Sequence, residues 1–161
     1  MRRIGPFAFA LALVALPVAA QEAGVSFGGL RQDPGQPVEV SADSLQVSQT
    51  DGSAVFTGNV RIDQGEMRME AGRVEVRYGG GDGGIESLHA TEGVTLTAGS
   101  EAAEAQEALY TIASGAVVMT GDVLLTQGAA TLSSDKLTID LTTGTGTMDG
   151  RVRTVFQPGS K

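Results

Sequence analysis

The sequence predicts an all-β domain built from many short antiparallel strands, a sandwich, barrel or jelly roll. Three observations carry that prediction. Apolar residues recur with a period of two rather than 3.6, a turn signal closes each short run, and one strand-bend-strand motif occurs twice at a fixed offset.

The first segment is not part of that domain. Arg2 and Arg3 precede an unbroken apolar run from Phe7 to Leu16, Pro17 ends it, and Val18-Ala19-Ala20 supplies small side chains. This pattern reads as a cleavable signal peptide over residues 1–20, cut after Ala20. The run is about half the ~20 residues that a membrane-spanning helix needs. No cysteine follows the cut, so no lipid anchor on a cysteine is expected. Residues 21–35 have Gly and Pro but no clear period and read as a flexible arm; 36–156 form the domain, and 157–161 a polar tail.

Within the domain each run alternates. Val38 and Val40 come first, then Leu45 and Val47, Val60 and Ile62, Met67 and Met69, and Val74 and Val76. The pattern returns at Val94 and Leu96, Tyr110 and Ile112, and Leu137, Ile139 and Leu141. Asp51-Gly52, Gly58-Asn59, the Gly79–Gly84 stretch, Ser114-Gly115, Gly121-Asp122, Gly144–Gly146 and Asp149-Gly150 mark the turns. One stretch pulls the other way. Residues 100–108, SEAAEAQEA, are rich in helix formers. The repeat favours strand there from about Ala105 onward.

That repeat sets Val55–Tyr78 against Val118–Leu141, ungapped, at an offset of 63. Val55, Thr57, Gly58, Val60, Gln64 and Gly65 meet identical residues at Val118, Thr120, Gly121, Val123, Gln127 and Gly128. Ile62, Met69, Val74 and Val76 meet Leu125, Leu132, Leu137 and Ile139, so the apolar face repeats too. Gly58 and Gly121 suit a bulge or corner, where a missing Cβ lets a strand kink.

Composition narrows the function. Eleven Lys and Arg stand against 19 Asp and Glu; without Arg2 and Arg3, nine remain against 19, a net charge of −10. An acidic chain with four per cent aromatics is a poor nucleic-acid partner. With no cysteine there is neither a disulfide nor a thiolate ligand. The lone His89 leaves a zinc site without a second histidine, so no metal site and no cofactor is expected. There is no Gly-x-Ser-x-Gly elbow and no phosphate-binding Gly-x-x-x-x-Gly-Lys loop. Gly79–Gly84 reads as a hairpin loop rather than one copy of a stacked calcium repeat, and Glu101 and Glu104 show no partner for acid-base work. The chain lacks the parts of an enzyme and no catalytic residue is assigned.

The period-two spacing places Val38, Val40, Phe56, Val60, Ile62, Val74, Val76, Leu96, Tyr110, Ile112, Val123, Leu125, Leu137 and Ile139 on one apolar interior face. Periodicity alone favours an ordinary closed core for them.

Gln36-Pro37-Val38-Glu39-Val40-x-Ala42-Asp43, then Val55-Phe56-Thr57-Gly58-Asn59-Val60-Arg61-Ile62-x-Gln64-Gly65, then Ala71-x-Arg73-Val74-Glu75-Val76, resemble the OstA-like domain family. The second copy, Val117–Gly128 with Asp135–Ile139 after it, sits where that family repeats the motif. The middle, from Gly79 to Glu104, does not match closely. A single domain of this length after a cleavable signal resembles the LptA-type members. The resemblance implies an open, twisted antiparallel β-jelly roll in the periplasm of a Gram-negative envelope. It implies a lipopolysaccharide carrier, with the interior residues above lining an apolar trough for lipid A acyl chains. It also implies head-to-tail stacking, with an LptC-like inner-membrane protein at one end and an LptD-like outer-membrane protein at the other. The first strand, Val38 to Val47, and the last, Met148 to Phe156, are then partner-binding edges, through Val38, Val40, Leu45, Val47, Met148, Val152 and Thr154. Glu39 and Asp43 make one edge acidic, and Arg151 and Arg153 the other basic. Two other readings stay open: a β-rich binding module for polysaccharide or protein, and a structural filament subunit. The absence of Trp, with only two Tyr, argues against sugar stacking.

Overall fold

Alternating side chains give the long strands one dry and one wet face, and in the computed structural model the described residues build twelve strands. The structure describes residues 24–26, 33, 35–81 and 83–159; Met1–Ala20, read as a signal peptide, lies outside the described residues. The strands are β1 (Gly24–Ser26), β2 (Glu39–Ser41), β3 (Ser44–Ser48), β4 (Ser53–Gln64), β5 (Met67–Tyr78) and β6 (Ile85–Ala98). They continue with β7 (Glu101–Ala105), β8 (Glu107–Thr111), β9 (Ala116–Gln127), β10 (Ala130–Asp140), β11 (Thr145–Asp149) and β12 (Arg153–Phe156). All belong to one antiparallel sheet that runs β1-β11-β10-β9-β7-β6-β5-β4-β2, with β12 on β10, β3 on β4, and β8 between β6 and β9. Among the described residues the two end strands, β1 and β2, do not pair with each other, so the jelly roll is open.

The long strands are shared between two leaves. The first half of β4 pairs with β3 and its second half with β2; β6 and β9 pair with β8 at one end and β7 at the other; β10 pairs with β11 and then β12. The register shifts in the β4–β5 pair between Thr57 and Val60 and in the β9–β10 pair between Ser134 and Lys136, where the sheet creases.

The crease is made three times by one device. Asp43, Gln106 and Asp135 each donate a backbone N–H to the carbonyl of a glycine opposite, Gly58, Gly121 and Gly150, at 2.9, 3.0 and 2.9 Å. Each glycine has a left-handed φ, 81°, 85° and 78°, and so does the residue after it, Asn59, Asp122 and Arg151, at 46–48°. The side chains then lock across: Asn59 Nδ2 donates to Asp43 Oδ2 and Gln106 Nε2 to Asp122 Oδ2, both at 2.8 Å, and Arg151 Nε to Asp135 Oδ1 at 3.0 Å. A Cβ at Gly58 would fall 2.6 Å from Asp43 Oδ2, and one at Gly121 2.8 Å from Gln106 Cβ, so no other residue fits without displacement.

These corners account for three departures from the sequence reading. The expected first strand, Val38 to Val47, is broken at Ala42-Asp43 into β2 and β3, because Asp43 is a corner residue. The expected last strand, Met148 to Phe156, is broken at Gly150–Val152 into β11 and β12 for the same reason. Strand begins at Glu101 rather than near Ala105, and Gln106 is the corner between β7 and β8. Pairing of β7 with both β6 and β9 overrides the helix propensity of that stretch. Within the stretch read as a loose arm, Gly24–Ser26 pair with Thr145–Thr147 of β11.

Candidate functional site

Cross-strand register aligns the interior face into rows. In the leaf that holds β3, one row runs Leu45, Phe56, Val74, Ala90, Ala108, Met119, Leu137, Met148. The next runs Val47, Ala54, Val76, Leu88, Tyr110, Val117, Ile139. In the leaf that holds β2, a row runs Val40, Ile62, Met69, Leu96, Ala103, Leu125, Leu132, Thr154. The period of two is thus a set of apolar ribbons crossing the whole sheet.

The structure brings the interior residues named from sequence into one cluster. Val60, Ile62, Val74, Val76, Leu96, Tyr110, Val123, Leu125, Leu137 and Ile139 are buried in it, and Val38, Val40, Phe56 and Ile112 pack against it half-buried. The space between the leaves is filled by these side chains and by Ala71, Ala90, Ala98, Ala103, Ala105 and Ala108.

The apolar rows do not end in burial. On the β3 edge Leu45 and Val47 are 55% and 63% exposed, although they continue the rows of Phe56 and Ala54. On the β12 edge Phe156, opposite Ala130, is 74% exposed, with Val152 and Thr154 also exposed. Of the residues named as edges, Met148 is different: it is buried in the β11 row, beneath an edge that β1 covers.

Sequence reasoning missed a polar row. The outermost interior row of the β2 leaf reads Gln64, Met67, Ala98, Glu101, Gln127, Ala130, Phe156. Gln64 accepts a hydrogen bond from the Tyr110 hydroxyl at 2.6 Å and donates from Nε2 to the Gln36 carbonyl at 2.9 Å. Gln127 Nε2 donates to Glu101 Oε1 at 2.7 Å. The signal for the two glutamines was present, since they are identities of the repeat. Burial pushes the Tyr110 phenol above its ordinary pKa, against the opposing effect of its bond to Gln64.

Apart from Glu101, charge lies outside among the described residues. Asp63 holds Arg61 at 2.8 Å and Arg68 at 2.9 Å, Glu75 holds Arg77 at 3.1 Å, and Asp135 holds Arg151. His89 is exposed on β6, with Nε2 3.3 Å from Glu107 Oε2. Among the described residues no group of three or more His, Cys, Asp or Glu is placed to hold a metal ion.

Comparison with known proteins fits this geometry to a family. Residues 39–145 match the family model described as LptA/(LptD N-terminal domain) LPS transport protein. An uncharacterized protein of Rhizobium meliloti is 27% identical over 160 residues, 92% of this chain and 86% of its own. The lipopolysaccharide export system protein LptA of Escherichia coli K12 is 30% identical over 112 residues, 66% of this chain and 60% of its own. Among solved structures, LptH of Pseudomonas aeruginosa, described as the LptA-homologous periplasmic component of its lipopolysaccharide transport device, superposes with a TM-score of 0.70 at 20% identity. That match covers 79% of this chain and 99% of that one. With the family model spanning most of the folded domain, and with the whole repeat and the first two corners inside the match, the chain belongs to the LptA/LptD N-terminal domain family of lipopolysaccharide transport proteins.

Proposed function

We propose that this protein is a periplasmic carrier that shields the acyl chains of lipopolysaccharide between its two leaves and hands them along a chain of like domains. The observation that carries the reading is the set of apolar rows that cross the interior and emerge exposed at Leu45 and Val47, in a chain of this family. At about 0.8 kcal/mol per buried CH₂, a chain of ~12 carbons costs on the order of 10 kcal/mol to leave in water. A continuous apolar surface removes most of that barrier. The interior is packed with side chains, so acyl chains enter as the leaves part on the side away from the crease, replacing contacts between leaves with contacts to lipid.

Lipid A acyl chains, rather than phosphates, are the feature recognised. The net charge is acidic, and Arg61, Arg68, Arg77 and Arg151 are each held by a carboxylate on the outer surface. Two edges extend the carrier into a bridge: β2 and β3 at one end, β12 and, once uncovered, β11 at the other. An LptC-like protein on the inner membrane and an LptD-like protein on the outer membrane take these ends, and copies of the chain join head to tail between them. No cofactor enters; the driving force comes from a partner.

The test is photo-crosslinking in cells that make lipopolysaccharide. A crosslinker at Phe56, Leu96 or Ile112 captures lipopolysaccharide, and one at Glu75 or Arg77 on the opposite face does not. Phe56 and Ile112 are half-buried, so their replacement spares the fold. Equal capture from both faces ends the reading.

A further inference from the structure

Glu101 is the one charged side chain buried among the described residues, at 7% exposure. It opens β7 and shares its interior face with Ala103 and Ala105. Across the sheet it lies between Ala98 of β6 and Gln127 of β9. Oε1 accepts the 2.7 Å hydrogen bond from Gln127, whereas Oε2 is buried with no hydrogen-bond partner. Every other interior neighbour in its row and along its strand is alanine: Ala98 across, Ala103 two positions on. The second oxygen has almost no exposed surface, and no protein donor meets it. Buried acceptors are almost always satisfied, and a carboxylate oxygen is the most costly kind to leave unmet.

We propose that Glu101 recognises the cargo, its Oε2 accepting a hydrogen bond from an uncharged O–H or N–H donor carried on an acylated ligand between the leaves. The proposal rests on the acyl-chain reading above and names what that reading leaves open, a polar feature that distinguishes one acyl ligand from another. The chemistry fixes the class of donor. Carboxylate oxygens accept and do not donate, so they repel phosphate and other carboxylate groups. An ammonium group would have to shed its hydration to reach an interior lined by alanine and leucine. A hydroxyl on the chain, or an amide N–H at its head, meets the oxygen at little cost while the chain lies along the Leu96 and Leu125 row beside it. Bonds of this kind to an ionised acceptor are roughly twice as strong as neutral ones.

Displacement of the neutral fluorophore N-phenyl-1-naphthylamine from the purified protein tests this with three probes: methyl dodecanoate, methyl 3-hydroxydodecanoate and N-methyldodecanamide. The hydroxy ester or the amide is expected to bind about tenfold more tightly than the plain ester, the fold-change of one charge-assisted hydrogen bond. Whichever of the two binds more tightly identifies the donor as chain hydroxyl or head amide. Glu101→Leu is expected to bring both ratios to about one. Glu101→Gln, which keeps the shape and one acceptor, serves as the second variant and lowers the ratios without abolishing them. If the wild-type protein binds all three probes equally, or if Glu101→Leu keeps the preference, the assignment of Glu101 is wrong and the acyl-chain reading stands. If no ester displaces the fluorophore, the acyl-chain reading fails and the assignment fails with it.

Discussion

Tyr110 and Gln64 stand 46 positions apart and on facing leaves, and the Tyr110 hydroxyl donates to Gln64 Oε1 at 2.6 Å. Both side chains are buried, so this bond ties the β3 leaf to the β2 leaf through the interior. Tyr110→Phe keeps the ring packing and removes that donor. The expected loss is about 1–3 kcal/mol of stability in urea denaturation, with less than additive effect when combined with Gln64→Leu. The bond also has a pH signature. Burial raises the folded-state pKa of the phenol. Its contribution is therefore complete below the ordinary tyrosine value and is lost as pH rises through the raised one. Tyr110→Phe should flatten the alkaline limb of the stability profile; an unchanged limb would place its origin elsewhere.

The corner glycines make a sharper prediction. Gly58→Ala forces an L residue to φ 81° and sets its Cβ 2.6 Å from Asp43 Oδ2. Gly128→Ala also has a positive φ, 57°, but nothing lies within 4 Å of its Cβ. Gly128→Ala should cost about 1 kcal/mol, and Gly58→Ala roughly 2–3 kcal/mol or a shifted corner. Comparison of their urea midpoints checks it. Equal midpoints would mean that backbone strain, not the close approach of Asp43, governs the crease.

Arg151 holds Asp135 at the last corner, and its hydrogen bond is the main cause that lowers the Asp135 carboxyl below its ordinary value, with partial burial opposing it and Coulomb attraction adding to it. A depressed folded-state pKa means that the pair stabilises the fold above the unfolded carboxylate value and loses that effect as pH falls through the folded one. Carboxyl-carbon NMR should show the Asp135 titration move up toward the ordinary value in Arg151→Ala. Asp63, held by Arg61 and Arg68, should not move.

The apolar face was legible because one side of each long strand is dry: Ile62, Leu96 and Leu125 could be read by spacing and share one row. The corners were half legible. Gly58 and Gly121 stood out in the repeat, but Asp43, Gln106 and Asp135 acquire their role only from the glycine opposite, a cross-strand fact that no local pattern contains. Strand β7 was obscured for a related reason. Glu-Ala-Ala-Glu-Ala favours helix by itself, and it is strand because β6 and β9 supply partners on both sides. The same pairing turns Glu101 from a solvated helix-former into a buried carboxylate beside Gln127.

The edges carry the last prediction, because register fixes which backbone donors face outward. In antiparallel pairs, alternate residues turn their N–H groups toward and away from the partner strand. Gln157 donates to the Ala129 carbonyl, which makes Arg153 and Val155 inward donors and leaves the N–H of Thr154 and Phe156 pointing out. On β3 the corner residue Asp43 breaks the alternation: Tyr78 donates to the Gly52 carbonyl, which turns Ala54 and Phe56 toward β5 and Val55 and Thr57 toward β3, so Ser44, Gln46 and Ser48 are inward donors and the N–H groups of Leu45 and Val47 point out. Thr154→Pro and Leu45→Pro therefore remove one outward donor each without touching the ladder behind, the placement in which a sheet tolerates proline. Arg151 is engaged by Asp135 and Asp43 by Asn59, so charge complementarity between ends rests on Glu39 and Arg153. A contact between unlike edges does not close on itself and yields linear assemblies. Sedimentation at rising concentration should show such assemblies for the wild-type protein, lengthened when Gly24–Ser26 are deleted and β11 is uncovered. Each proline variant should block growth at its own end, so that a mixture of the two still forms dimers while either alone does not. Assemblies that persist in the Thr154→Pro variant with its circular dichroism unchanged would show that the domains join by some surface other than these strands.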